Sequence, residues 1–176
     1  MSTESAIAVA RLIAELKNVE GRKRLQKIVH LLRASRVPEF RHRFILHYFG
    51  PFSRELAAEL DFLVSAHLVA ESPPDCDGGS YRYSIPRTAA EQVERLYGDE
   101  FEPPAWVGFA KELNNANTPQ LEAMSTLLFL ANRKVAVRDL ESEFRRIKPN
   151  LANEFLSAKK RASELGLLEL PDKTVD

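Results

Sequence analysis

Residues 53–85 leave this chain few folds to choose from, because a capped amphipathic helix there runs directly into a glycine-containing hairpin. Ser53 is a good N-cap, since its side-chain oxygen can accept from the orphan N–H groups of the first helical turn. Leu56, Leu60, Leu63 and Val64 then recur at helical spacing and form one apolar face. Leu68 to Glu71 reads as one hairpin arm, residues 73–79 with Gly78 and Gly79 as the loop, and Tyr81 to Ile85 as the second arm.

Upstream, Val9, Leu12, Ile13 and Leu16 mark one helix, and Leu25, Ile28, Val29 and Leu32 mark the next, with Gly21 between them. Pro38 stops the second helix. From Phe40 to Phe49 the residues are aromatic, β-branched and basic, which predicts a strand with Phe44, Leu46 and Tyr48 on one side. Gly50-Pro51 then turns the chain.

Downstream, Thr88 to Glu91 is a capping box that opens a short helix through Val93, Leu96 and Tyr97. Pro103-Pro104 marks the clearest boundary. Beyond it come four apolar stripes: Trp106, Phe109, Ala110 and Leu113; Leu121, Met124, Leu128 and Ala131; Val137, Leu140, Phe144 and Ile147; and Leu151, Phe155, Ala158, Ala162 and Leu165. Residues 114–117 form a loop, and Thr118-Pro119 pairs an N-cap with proline at the first helical position. Pro149 breaks the third of these helices and Gly166 stops the fourth.

Composition excludes several classes. No apolar run approaches the ~20 residues a membrane span needs, and residues 1–5 lack the basic start and apolar block of a secretory signal. The single cysteine, Cys76, excludes an internal disulfide and a Cys-rich zinc cage, so a cytoplasmic location is expected. With 25 basic and 25 acidic residues there is no global field to draw nucleic acid. The charges are unevenly spread, however: residues 1–60 are basic in excess, residues 61–130 acidic.

The helix leading through Leu60-Asp61-Phe62-Leu63-Val64-Ser65-Ala66-His67-Leu68-Val69 into the hairpin resembles the recognition helix and wing of MarR- and PadR-type winged-helix regulators. Those place two helices between the first strand and the hairpin, and the turn Phe49-Gly50-Pro51-Phe52 leaves room for one after a strand at 40–49. Two motifs carry a further likeness, Gly21-Arg22-Lys23-Arg24-Leu25-Gln26-Lys27-Ile28-Val29 and Tyr48-Phe49-Gly50-Pro51-Phe52-Ser53-Arg54-Glu55-Leu56. The pair is similar to the YwgA-like family and, more distantly, to the Panacea (SocA-like antitoxin) domain with its Lys-Leu-Gln-Lys helix and Tyr-Gly-Pro turn. The YwgA-like match continues around Ile147-Lys148-Pro149. The distant likeness implies toxin neutralisation or adaptor-type contacts. The expected fold is mainly α with a small β-hairpin: a winged-helix-like domain over 1–103, a helical C-terminal subdomain over 104–170 and a tail over 171–176.

The inventory for catalysis is thin, and no enzyme, cofactor or metal site is expected. His42 and His47 fall on opposite strand faces and cannot share a metal, while His30 and His67 read as amphipathic boundary residues. Asp75 and Asp77 flank Cys76 and would disfavour its thiolate. Gly78-Gly79 lacks the following Lys-Ser/Thr of a phosphate cradle. Glu55 and Glu59 read as a solvated helix face, and Gln26 as a residue that helps fix the neighbouring turn.

Binding is what remains. A DNA reader would send residues 53–67 into the major groove, yet Arg54 there faces Glu55, Glu59 and Asp61, and Asp75 and Asp77 tip the wing beside its only cation, Arg82. The positive charge lies instead on Arg22, Lys23, Arg24, Lys27, Arg33, Arg36, Arg41 and Arg43. Such charges usually form a solvated face; as a functional patch they suit an acidic protein at least as well as nucleic acid. The leading expectation is a non-enzymatic regulatory module for an acidic partner protein, antitoxin-like or part of a defence-type system, with weak nucleic-acid binding at most. The alternative is a DNA-binding transcriptional regulator docking through the basic helix 21–36. A third reading is a homo-oligomeric scaffold built on Trp106 and Phe109.

Overall fold

Helices dominate, as the repeated apolar stripes require. The computed structural model describes residues 3–91, 103–133 and 135–168. In chain order they form α1 (Thr3–Leu16), β1 (Val19–Glu20), α2 (Arg22–Ala34), β2 (Ile45–His47), β3 (Gly50–Phe52), α3 (Arg54–Ser65), β4 (Ala70–Ser72) and β5 (Arg82–Ser84). Residues 87–91 are helical, and α4 (Val107–Asn115), α5 (Thr118–Asn132), α6 (Leu140–Ile147) and α7 (Phe155–Glu164) follow. Short 3-10 segments, Val137–Asp139 and Pro149–Glu154, lead into α6 and α7.

The strands make two small antiparallel sheets. β4 and β5 are the predicted hairpin, with Glu71 opposite Tyr83, and β1 joins the outer side of β5 through Val19 opposite Tyr83. The strand order β1-β5-β4, with α2 and α3 between β1 and the hairpin, is a winged-helix arrangement. This removes the departure noted in the sequence. The first strand is Val19–Glu20, which no periodicity could reveal in two residues, so both α2 and α3 lie between it and the wing.

The strand expected from Phe40 to Phe49 is regular only over Ile45–His47. Residues 40–44 carry no regular strand: Phe40 N–H closes a turn on Val37 O at 3.2 Å, and Arg43 N–H is taken by Glu55 Oε2 at 2.9 Å rather than by a neighbouring strand. Side chains still alternate there, with Phe40 and His42 buried and Arg41 and Arg43 exposed. The apolar side breaks at the turn, where Tyr48 is exposed.

Further ends shift by a residue or two. The first cap of α5 is Asn117, whose Oδ1 accepts from Gln120 N–H at 2.8 Å, so Thr118 is already helical. The helix expected at Thr88 begins at Arg87, with Pro86 O accepting from Ala89 and Ala90; its positions Val93, Leu96 and Tyr97 lie outside the described residues. Val137 sits in the 3-10 segment and is exposed.

One connected core joins these elements. Val9, Leu12 and Ile13 of α1, Leu25, Ile28 and Leu32 of α2, Leu56, Leu60 and Leu63 of α3 and Tyr83 of the wing all belong to it, as do Leu121 and Leu128 of α5 and Phe144 and Phe155. α5 lies against α2, β3, α6 and α7, so the C-terminal helices share their apolar faces with the winged-helix part. Leu60 is 2% exposed. Leu60→Ala should therefore cost ~2–5 kcal/mol in urea unfolding, and a change within ~0.5 kcal/mol would contradict this packing.

Candidate functional site

The eight basic residues divide into those that hold the fold and those that face solvent. Arg22 donates from Nε to Tyr83 Oη at 2.9 Å and pairs its other nitrogens with Asp61 and with Glu71 at 3.1 Å. Burial opposes its charge, but these three partners outweigh that and hold the proton more firmly than usual. Burial and the hydrogen bond to Glu71 push the Tyr83 hydroxyl up to about 12. Arg22 thus ties α2 to α3 and the wing. Arg24 donates to Asn114 O, Ala116 O and Thr118 Oγ1 at 2.7, 2.9 and 3.0 Å, satisfying carbonyls at the end of α4.

Lys27 is 4% exposed and leaves the set of surface cations altogether. Its Nζ donates to Pro51 O at 3.0 Å. Lys23, Arg33, Arg36, Arg41 and Arg43 are exposed.

Beside Lys27, Gln26 behaves as a surrogate strand. Its Oε1 accepts from Ser53 N–H at 2.8 Å and its Nε2 donates to Ser53 O at 2.9 Å. Ser53 Oγ in turn accepts from Leu56 N–H at 3.3 Å, so one side chain of α2 fixes the start of α3. A third side chain grips the same loop: Lys148, 3% exposed, donates to Tyr48 O and pairs with Glu122 at 2.6 Å. Gly50 sits between the grips at φ 84, where a Cβ would lie 2.9 Å from Thr126 Oγ1. The motifs around Gln26-Lys27, Gly50-Pro51 and Lys148, far apart in sequence, therefore meet at one point.

The clamped loop presents its tip outward. Tyr48 is 78% exposed, Phe49 42% and Ile45 48%. Lys23 Nζ lies 3.3 Å from the Phe49 ring centroid, a cation–π contact. This tip forms one wall of a cleft of about 860 Å³, with Leu46 and Lys23 beside it and Glu122, Arg146, Lys148 and Asn150 opposite. The floor is fixed and the rim is aromatic and cationic.

Other sites of interest resolve differently. Glu59, read as solvated, is 3% exposed and takes His42 Nε2 at 2.7 Å. Ser5 Oγ approaches the same nitrogen at 3.1 Å, and His42 Nδ1 has no partner, so the three residues cannot form a Ser-His-acid relay, which uses both ring nitrogens. His30 is a core residue, 2% exposed, with Nδ1 3.0 Å from Ser125 Oγ; burial pushes its pKa down to about 3 and keeps it neutral. Trp106 is buried edge-on against Phe40, which removes it from any scaffold surface. Among the described residues no cluster of His, Cys, Asp or Glu could hold a metal, and no helix is long and apolar enough to cross a membrane.

Sequence reasoning missed Lys148, Glu122 and the His42–Glu59 pair. The signal for Lys148 was its place in the Ile147-Lys148-Pro149 stretch; nothing local distinguishes Glu59 from Glu55.

Two measurements test the clamp. Gln26→Ala strands the Ser53 N–H and C=O in the interior and should cost roughly 2–4 kcal/mol in chemical denaturation. For Lys27, burial is the largest cause lowering its amine from the ordinary 10.5 to about 8. Above pH 8 the unfolded lysine retains a proton that the folded one has released, so stability rises with pH. The rise, on the order of 1–3 kcal/mol, should be visible up to about pH 10, where ionisation of Tyr83 in the unfolded chain begins to oppose it. Lys27→Met should flatten the slope.

No family model matches the sequence. The chain is similar to the uncharacterized protein YwgA of Bacillus subtilis (strain 168), with 25% identity over 120 residues that span 68% of this chain and 70% of that protein. It is a distant homologue of that bacterial protein across most of its described fold.

Proposed function

We propose that this chain is a non-enzymatic, winged-helix-like regulatory module that binds a partner protein with an acidic surface. The observation that carries the reading is the clamped loop, which holds two exposed aromatic rings beside exposed cations. Exposed aromatic side chains on fixed backbone are what protein interfaces use as anchors. The likeness to the Panacea domain supports an antitoxin-like or defence-type setting.

The nucleic-acid alternative has less behind it. Of the basic helix, Arg22, Arg24 and Lys27 are committed to intramolecular bonds. On α3 the exposed charges are Arg54, Glu55 and Asp61, and on the wing Arg82 is already paired with Asp75 at 3.0 Å.

Tagged protein expressed in its own host, isolated with its bound proteins and compared with the Lys23→Glu/Tyr48→Ala variant, tests the proposal. A specific protein should accompany the unaltered chain and be lost, by roughly tenfold or more in affinity, from the variant. Duplex DNA should bind weakly and lose its hold steeply with salt. Nanomolar, sequence-selective duplex binding at ~150 mM salt would overturn the proposal in favour of a transcriptional regulator.

A further inference from the structure

The two-residue turn Tyr48-Phe49 joins β2 to β3, and the pair forms a sheet of its own with no third strand among the described residues. Leu46 stands opposite Pro51 in the register. Proline has no N–H to give, and Pro51 O is taken by Lys27. Leu46 and Pro51 are therefore a non-hydrogen-bonded pair, and the N–H and C=O of Leu46 point away from β3. Phe44 lies one residue before β2, and the same alternation carried back to it would turn its groups the same way. Neither residue's backbone groups have a partner among the described residues, and Leu46 lines the cleft. The β3 side is closed by α2 and α5. One edge of this sheet is thus open, alternating in donors and acceptors at strand spacing, in the middle of the aromatic cleft.

We infer that this β2 edge is a strand-addition site, at which an extended acidic segment of the partner protein pairs with Phe44 and Leu46 as a third strand. A peptide backbone is the one polymer whose donor–acceptor repeat matches such an edge. The acidic character follows from charge: Lys23 beside the turn and Arg43 just before β2 are exposed and have no ion-pair partner among the described residues. Alternate side chains of the added strand would meet Ile45 and the Tyr48 and Phe49 rings. The inference rests on the proposed protein-binding role and specifies how the partner is held.

The test uses the full chain and a fluorescein-labelled nonapeptide in which glutamate alternates with valine. Two control peptides replace glutamate by lysine, or carry N-methyl groups on alternate backbone nitrogens. Binding should fall roughly tenfold or more for both controls, because one loses charge complementarity and the other its ladder donors. Hydrogen exchange at the Leu46 amide should slow when the glutamate peptide binds. Leu46→Pro should weaken binding comparably without lowering the melting temperature much, since that N–H is not used within the hairpin. Equal binding of the N-methylated peptide, or unchanged exchange at Leu46, overturns strand addition. If Lys23→Glu still abolishes binding in that case, capture of acidic chains at this face survives. Failure of all three peptides to bind overturns the strand mechanism, while the host-partner comparison judges the wider role separately.

Discussion

A hairpin loop at the meeting of three helices must satisfy backbone groups that no strand can reach, and Gln26, Lys27 and Lys148 supply what is missing. Each grips a different peptide unit between Tyr48 and Ser53. Buried backbone groups without partners are costly, so this requirement fixes the separation of α2, α3 and α5. The N-terminus of α3 is set by Gln26 through Ser53, and the wing follows from α3 through Arg22 and its carboxylates. Removing the loop's partners would leave the hydrophobic stripes intact but without a common register.

The sequence was most legible where a physical signal repeats. The stripes of α1, α2, α3 and α5, the Gly78-Gly79 hairpin and the stop at Gly166 could be read because periodicity and turn chemistry act over several residues. β1 was hidden because two residues carry no period, and the stretch before β2 misled because its alternation is real while its ladder is absent. The basic patch was legible only in part, because charge on a helix says nothing about what lies opposite: Lys27 is buried, while Lys23, Arg33, Arg36, Arg41 and Arg43 are exposed. Lys23 and Lys27, four positions apart on one helix, meet opposite fates, since Lys27 is buried against Pro51 O and Lys23 is exposed beside the Phe49 ring. The clamp could be seen only as a likeness between separated motifs, and its cause became visible when those motifs met in space.

Neutral overall charge here conceals local matching. Arg22 with Asp61 and Glu71, Lys148 with Glu122, and Arg82 with Asp75 match cations to carboxylates within the fold. Lys23 and Arg43, on either side of the β2–β3 hairpin, are exposed and stand outside these pairs. A module with no net charge has no large field to steer it, so selectivity rests on where its local charges stand.

His30 adds a quieter consequence. It stands where α2 meets α5, neutral against Ser125 and edge-on to Phe44 at 4.8 Å. The folded ring resists a proton down to about pH 3, whereas the unfolded chain accepts one near 6.5. Acidification below that point shifts the balance towards opening by up to about 1.4 kcal/mol per pH unit from this residue alone. Protonating His30 requires opening the contact between α2 and α5, and amide exchange across those helices at falling pH would register it.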